Sequence, residues 1–107
     1  MKVQFKGRSE AFSCTEPVEQ KVFQSGKAAG WALMFRISGA VNSSDIDELT
    51  TPEAISEIVF TGGTEEAPSS VTLVGYNTVR SCTIRYTDNG ATVELQFTKE
   101  ATENGTV

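Results

Sequence analysis

Gly30-Trp31-Ala32-Leu33-Met34-Phe35-Arg36-Ile37-Ser38-Gly39 is the stretch that decides the fold. Trp31, Leu33, Phe35 and Ile37 alternate with Ala32, Met34, Arg36 and Ser38. A period of two is the pattern of a strand with one buried face. The first set is large and wholly apolar, so it predicts a core-facing strand whose four side chains are buried together. Glycines at both ends mark its limits.

Working outward, the same period recurs over most of the chain. Lys2–Lys6, Ala11–Thr15 and Val18–Phe23 read as earlier strands. Pro17 cannot donate a ladder hydrogen bond, so it predicts a turn or a sheet edge. Gln24-Ser25-Gly26-Lys27 is a turn leading into the Trp31 strand. Further on, Ile58–Phe60, Val71–Tyr76, Thr78–Thr87 and Ala91–Lys99 read as strands. Gly75, inside one of them, suggests a bulge or a close backbone approach. The residues from Thr61 to Ser70 read as a polar, flexible loop.

One segment departs from this period. Asn42-Ser43-Ser44 precedes Asp45, Asp47 and Glu48, with Ile46 and Leu49 three apart, as at a helix start. Thr51-Pro52 is a second start, with Thr as cap and Pro in the first helical position. The segment from about residue 43 to 56 therefore reads as a short helical insert. Seven or eight antiparallel strands with one such insert predict a mainly β fold, either a β-sandwich or a partly closed barrel. Residues 1–100 form a single domain in this reading, and 101–107 a frayed tail.

The last two strands flank Asp88-Asn89-Gly90, and Asn-Gly is a strong two-residue hairpin signal. Taken as the loop, Asn89-Gly90 pairs Asp88 with Ala91, Tyr86 with Val93, Ile84 with Leu95 and Cys82 with Phe97 on the inner face. Arg85 with Glu94 and Thr83 with Gln96 then fall outside.

The chain has 107 residues and a net charge of −5, with no histidine. An acidic domain repels phosphate backbones, so nucleic acid is not an expected partner. The apolar runs are too short to span a membrane. The first residues lack the apolar stretch of an export signal, which points to a cytoplasmic protein. In such a compartment Cys14 and Cys82 stay reduced, as small buried hydrophobes.

Catalytic chemistry is not expected. Relay mechanisms based on Ser-His or Cys-His need a histidine. Arg85 lies on the opposite strand face from Cys82, so it cannot activate that thiol. Asp45, Asp47 and Glu48 share one helical turn, where glycosidase chemistry needs two carboxyls across a cleft. They also lack the spacing of a calcium loop and suit a helix start instead. Glu65-Glu66 and Gly62-Gly63 read as loop, with no phosphate-binding spacing. Asn42-Ser43-Ser44 and Asn104-Gly105-Thr106 are chance glycosylation sequons without export. No catalytic, cofactor or metal residue is assigned, and no cofactor is expected.

Charge is unevenly spread. Residues 1–36 carry six Lys/Arg and three Glu, and residues 37–107 carry three Lys/Arg and eleven Asp/Glu, or +3 against −8. Opposite ends invite head-to-tail contact between copies. Exposed strand edges beside Pro17 or Gly75 offer a second route, by strand addition.

The run 30–39, the insert Thr51-Pro52-Glu53-Ala54-Ile55-Ser56 and the closing stretch from Gly75-Tyr76-Asn77 to Thr98-Lys99 resemble small structural proteins of tailed bacteriophages and prophages. The resemblance lies in size, acidity, β content and general style, and it carries over no functional residue. It implies a non-enzymatic tail or virion component that works as a homo-oligomer, and a place in the virion. A small protein- or ligand-binding β module of a cellular protein is the competing reading.

Overall fold

A computed structural model describes residues 1–39, 41 and 43–100. Its elements are β1 (Lys2–Phe5), β2 (Phe12–Cys14), β3 (Val18–Gln24), β4 (Lys27–Gly39), α1 (Ser43–Leu49), β5 (Glu57–Gly63), β6 (Pro68–Val74), β7 (Thr78–Thr87) and β8 (Gly90–Glu100). Among the described residues the fold is mainly β, with eight antiparallel strands and one short helix, as the period-two pattern predicts. The strands form one sheet in the order β6-β5-β1-β2-β4-β8-β7, with β3 paired to β4 off this path, and the path is not closed into a barrel.

The sheet folds over onto itself. Phe60 on β5 and Phe35 on β4 are separated by β1 and β2, or about 14 Å in a flat sheet. Their ring centroids are 5.0 Å apart at an edge-on angle of 89°. The two halves therefore face each other, with Phe5, Phe35, Phe60 and Phe97 in the middle of the core. Ile46 and Leu49 of α1 and Ile55 beyond it join the same core. Ala101–Val107, the predicted tail, and Asn42 lie outside the described residues.

β4 is the long strand of the molecule, and its glycines serve different ends. At Gly30 a Cβ would stand 2.0 Å from the Lys99 carbonyl oxygen, so only glycine permits β4 and β8 to pair there. Before it, Ser25 and Gly26 form a two-residue hairpin loop with φ of 53° and 79°. Both angles are positive, as a type I′ turn requires. β2 and β3 share one side of β4: β2 pairs with Ile37 and Ser38, and β3 with Lys27 through Met34. Thr15 bridges the break before Pro17. Its N–H donates to the Arg36 carbonyl, and its hydroxyl accepts from the Arg36 N–H, both at 2.9 Å.

Several sequence expectations are corrected. In the last hairpin Thr87 pairs with Gly90, Tyr86 with Ala91, Ile84 with Val93 and Cys82 with Leu95. The register is thus displaced by two residues from the Asn89-Gly90 alignment, and Ile84 does not face Leu95. Asp88 and Asn89 are the loop, and Gly90 opens β8 with φ of 149°. A displacement of two preserves faces, so Ala91, Val93, Leu95 and Phe97 are all buried as predicted. β7 is different: Cys82 is exposed and Tyr86 is 71% exposed, because β7 is an edge strand that overhangs the core. Arg80 is a bulge between Val79 and Ser81. Trp31 is only partly buried, while Leu33, Phe35 and Ile37 are fully in the core.

The remaining corrections concern boundaries. β5 and β6 extend into the segment read as a ten-residue loop, leaving only residues 64–67 outside strands. Thr64 stabilises this tight connection, its hydroxyl accepting from the Ala67 N–H at 3.0 Å. β6 ends at Val74, and Gly75 lies beyond it with φ of 89°. The Thr51-Pro52 start makes turns and no second helix, although Thr51 does cap it, accepting from Ala54 N–H at 3.3 Å.

Candidate functional site

The residues singled out for chemistry are scattered. Cys14 sits half-buried on β2 opposite Ile37, and Cys82 on β7 opposite Leu95. β4 and β8 lie between them, and both thiols are free. Burial pushes both thiols above their ordinary range. The N-terminal ammonium partly offsets this at Cys14, while Asp47 adds to it at Cys82. At Cys14 burial outweighs the ammonium, and Cys82 has an acid beside it, so neither thiol is shifted toward the reactive thiolate. The Asp47–Cys82 proximity joins α1 to β7, which no sequence spacing could reveal. Arg85 pairs with Thr92 and so takes the face opposite Cys82, as alternation predicts.

Asp45, Asp47 and Glu48 lie on α1, where Glu48 accepts from Arg8 Nη1 at 2.6 Å. Glu65 and Glu66 are exposed between β5 and β6. Among the described residues no group of three or more His, Cys, Asp or Glu could hold a metal ion. No helix there is long and apolar enough to cross a membrane.

Two further features stand out: sequence reasoning missed the first, and it foresaw the second in part, as free edges beside Pro17 and Gly75. The first is the corner at Gly75-Tyr76-Asn77. These three residues join β6 to β7, the two opposite ends of the strand path. Tyr76 is fully buried there, and its hydroxyl donates to Glu19 Oε2 of β3 at 2.5 Å. Lys99 Nζ lies 4.8 Å from the Tyr76 ring centroid and donates to the Val74 carbonyl at 3.4 Å. Burial, then the hydrogen bond to Glu19 and its charge, push the Tyr76 phenol far above its ordinary value. The glycine at 75 was the one visible signal of a close approach: a Cβ there would meet Lys99 Cδ at 3.6 Å.

The second feature is the set of free edges. Among the described residues, β3, β6 and β7 each pair on one side only. The exposed large apolar residues among those described are Met1, Val18, Phe23, Val71, Val74, Val79 and Tyr86. All but Met1 lie on these three strands. Apolar exposure is therefore concentrated where backbone donors and acceptors are also unpaired.

On the outer face of β4, β8 and β7 lies a shallow groove of about 440 Å³, lined by Arg36, Arg85, Glu94 and threonines. Arg36 Nη2 and Glu94 Oε2 pair at 3.3 Å beside it.

The chain matches no family model, no curated protein and no solved structure. The functional reading therefore rests on these surfaces and on the sequence.

Proposed function

We propose that the protein works by self-association, as a non-enzymatic structural subunit of an assembly. The observation that carries this is the coincidence of free strand edges with exposed apolar side chains on β3, β6 and β7. Open edges of this kind are templates for pairing with another chain. The sequence resemblance to tail and virion proteins of tailed bacteriophages and prophages supports a virion or tail assembly as the kind of assembly. Sedimentation equilibrium over a wide concentration range tests the reading. A defined multimer that grows with concentration supports it. A monomer at every concentration overturns it and leaves the second reading, a ligand- or protein-binding β module. The groove between Arg36, Arg85 and Glu94 favours that alternative.

A further inference from the structure

We propose that β6 is the self-pairing edge: two copies join through antiparallel β6 strands about a two-fold axis at Val71. This rests on the self-association reading and adds to it the surface, the symmetry and the register.

The three free edges differ in how they are guarded. β7 carries Arg80 and Arg85 and has a bulge at Arg80. β3 carries Glu19 and Lys21 and shifts register between Val22 and Phe23. Charges, bulges and prolines are the ordinary devices that keep edges from pairing, and of these β6 has a proline, Pro68, at its first position. β6 reads Pro-Ser-Ser-Val-Thr-Leu-Val, with no charge and an unbroken register along β5. Val71 and Val74 on it are 53% and 56% exposed.

The backbone fixes how a second copy fits. Thr64 N–H donates to the Ala67 carbonyl at 3.2 Å, and Gly75 N–H to the Ser56 carbonyl at 3.0 Å. With the register Gly63 to Pro68 through Glu57 to Val74, these bonds set the phase of the ladder. Ser69, Val71 and Leu73 turn their backbone groups to β5. Pro68, Ser70, Thr72 and Val74 turn theirs to the free side.

With the axis at Val71, Ser70 of one copy meets Thr72 of the second and exchanges both backbone bonds. Pro68 meets Val74: the Val74 N–H finds the Pro68 carbonyl, but proline has no N–H to return. The Val74 carbonyl is the one already served by Lys99 Nζ at 3.4 Å. The missing donor thus falls on the acceptor that does not need it. Moving the axis to Ser70 would set Pro68 against Thr72, whose carbonyl has no other donor among the described residues.

Lys99 supports the same direction, with Glu57 opposite Val74 and Glu19 beside Tyr76 the opposing acids at that end. Glu65 and Glu66 lie just before β6, and the Lys99 ammonium lies at its far end. Antiparallel pairing brings the acids of each copy toward the lysine of the other, twice. Parallel pairing would stack the acids on themselves. Val71 then faces Val71 of the second copy as a non-hydrogen-bonded pair, with Cα atoms about 4.5 Å apart. A seven-residue edge is a small interface by the standard of stable complexes, so the pairing is concentration-dependent.

The test is a charge swap at the axis. Val71→Lys and Val71→Glu each put like charges face to face, and each should weaken dimerisation several-fold in sedimentation equilibrium. An equimolar mixture of the two should recover association, which an unfolded variant cannot do. Independently, Val71→Cys in a Cys14→Ser/Cys82→Ser background should oxidise to a disulfide dimer. Asp88→Cys, at the far hairpin tip, should not. Wild-type association that Val71→Lys leaves unchanged, a mixture without recovery, or no cross-linking above the Asp88→Cys control overturns the β6 pairing while self-association stands. A wild-type protein that stays monomeric throughout overturns both.

Discussion

Tyr76 is fully buried, and its hydroxyl donates to Glu19. Its raised phenol means that the folded chain holds this proton above the pH at which the unfolded chain releases it. Stability from this group is therefore complete below about pH 10 and falls as pH rises further. Cys14 and Cys82, also raised, act with the same sign from about pH 9. In a Cys14→Ser/Cys82→Ser background, thermal melts should show an alkaline loss of stability that Tyr76→Phe reduces. The same substitution should cost about 1 kcal/mol at neutral pH by removing the bond to Glu19. Phe35 touches Phe5, Phe60 and Phe97 across both halves of the sheet. Phe35→Ala should cost about 3–5 kcal/mol in denaturant unfolding, and a parent-like transition would show that the two halves do not meet there. Gly30→Ala drives a methyl into the Lys99 carbonyl and should cost about 2 kcal/mol or more. The alternating apolar run made Phe35 legible in the sequence. Tyr76 was not legible, because a single aromatic after a glycine has no period, and its partners Glu19 and Lys99 are 57 and 23 residues away in the chain.

Among the elements, β4 organises the rest, and its free side is completed by three pieces of chain. β2 serves Ile37 and Ser38, β3 serves residues up to Met34, and Thr15 serves Arg36 between them. Thr15→Val keeps the shape but leaves the Arg36 N–H without its acceptor. The expected cost is about 1 kcal/mol, with faster amide exchange at Arg36 than in the parent. Strand existence was readable because one face of each strand pair is buried and alternation records it. Register was less so. Asn89-Gly90 offers a favoured turn, but the hairpin places Asp88-Asn89 at the tip and spends Gly90 on the first pair of β8. Both alignments put the same residues inward, so the hydrophobic pattern could not separate them. The bulge at Arg80 was equally silent in the sequence, since it lies in an edge strand whose burial is already irregular. For the same reason the pattern on β6 and β7 said little about exposure: inward-facing positions such as Val71 and Tyr86 lie at an open rim with nothing opposite them.

For the whole molecule, the uneven charge suggested by the sequence is partly consumed within the fold. Arg8 pairs with Glu48 at 2.6 Å, and Arg36 with Glu94 at 3.3 Å. Two of the six cations in residues 1–36 are thus neutralised by acids from the remainder of the same chain. What is left for contact between copies is a net charge of −5 on each, which repels at long range. The two modes of association therefore respond to salt with opposite signs. Head-to-tail contact driven by opposite ends weakens as salt screens the attraction. Pairing along the uncharged β6 edge has little attraction to screen beyond Glu65 and Glu66 meeting Lys99, and exposed pairs of that kind contribute at most about 1 kcal/mol each. Screening instead relieves the repulsion between the two acidic bodies. Sedimentation equilibrium at about 0.05 M and about 0.5 M salt, across which the screening length shortens several-fold, should show association unchanged or tighter at the higher salt. Marked dissociation at high salt would assign assembly to the charged ends and remove β6 as its principal contact.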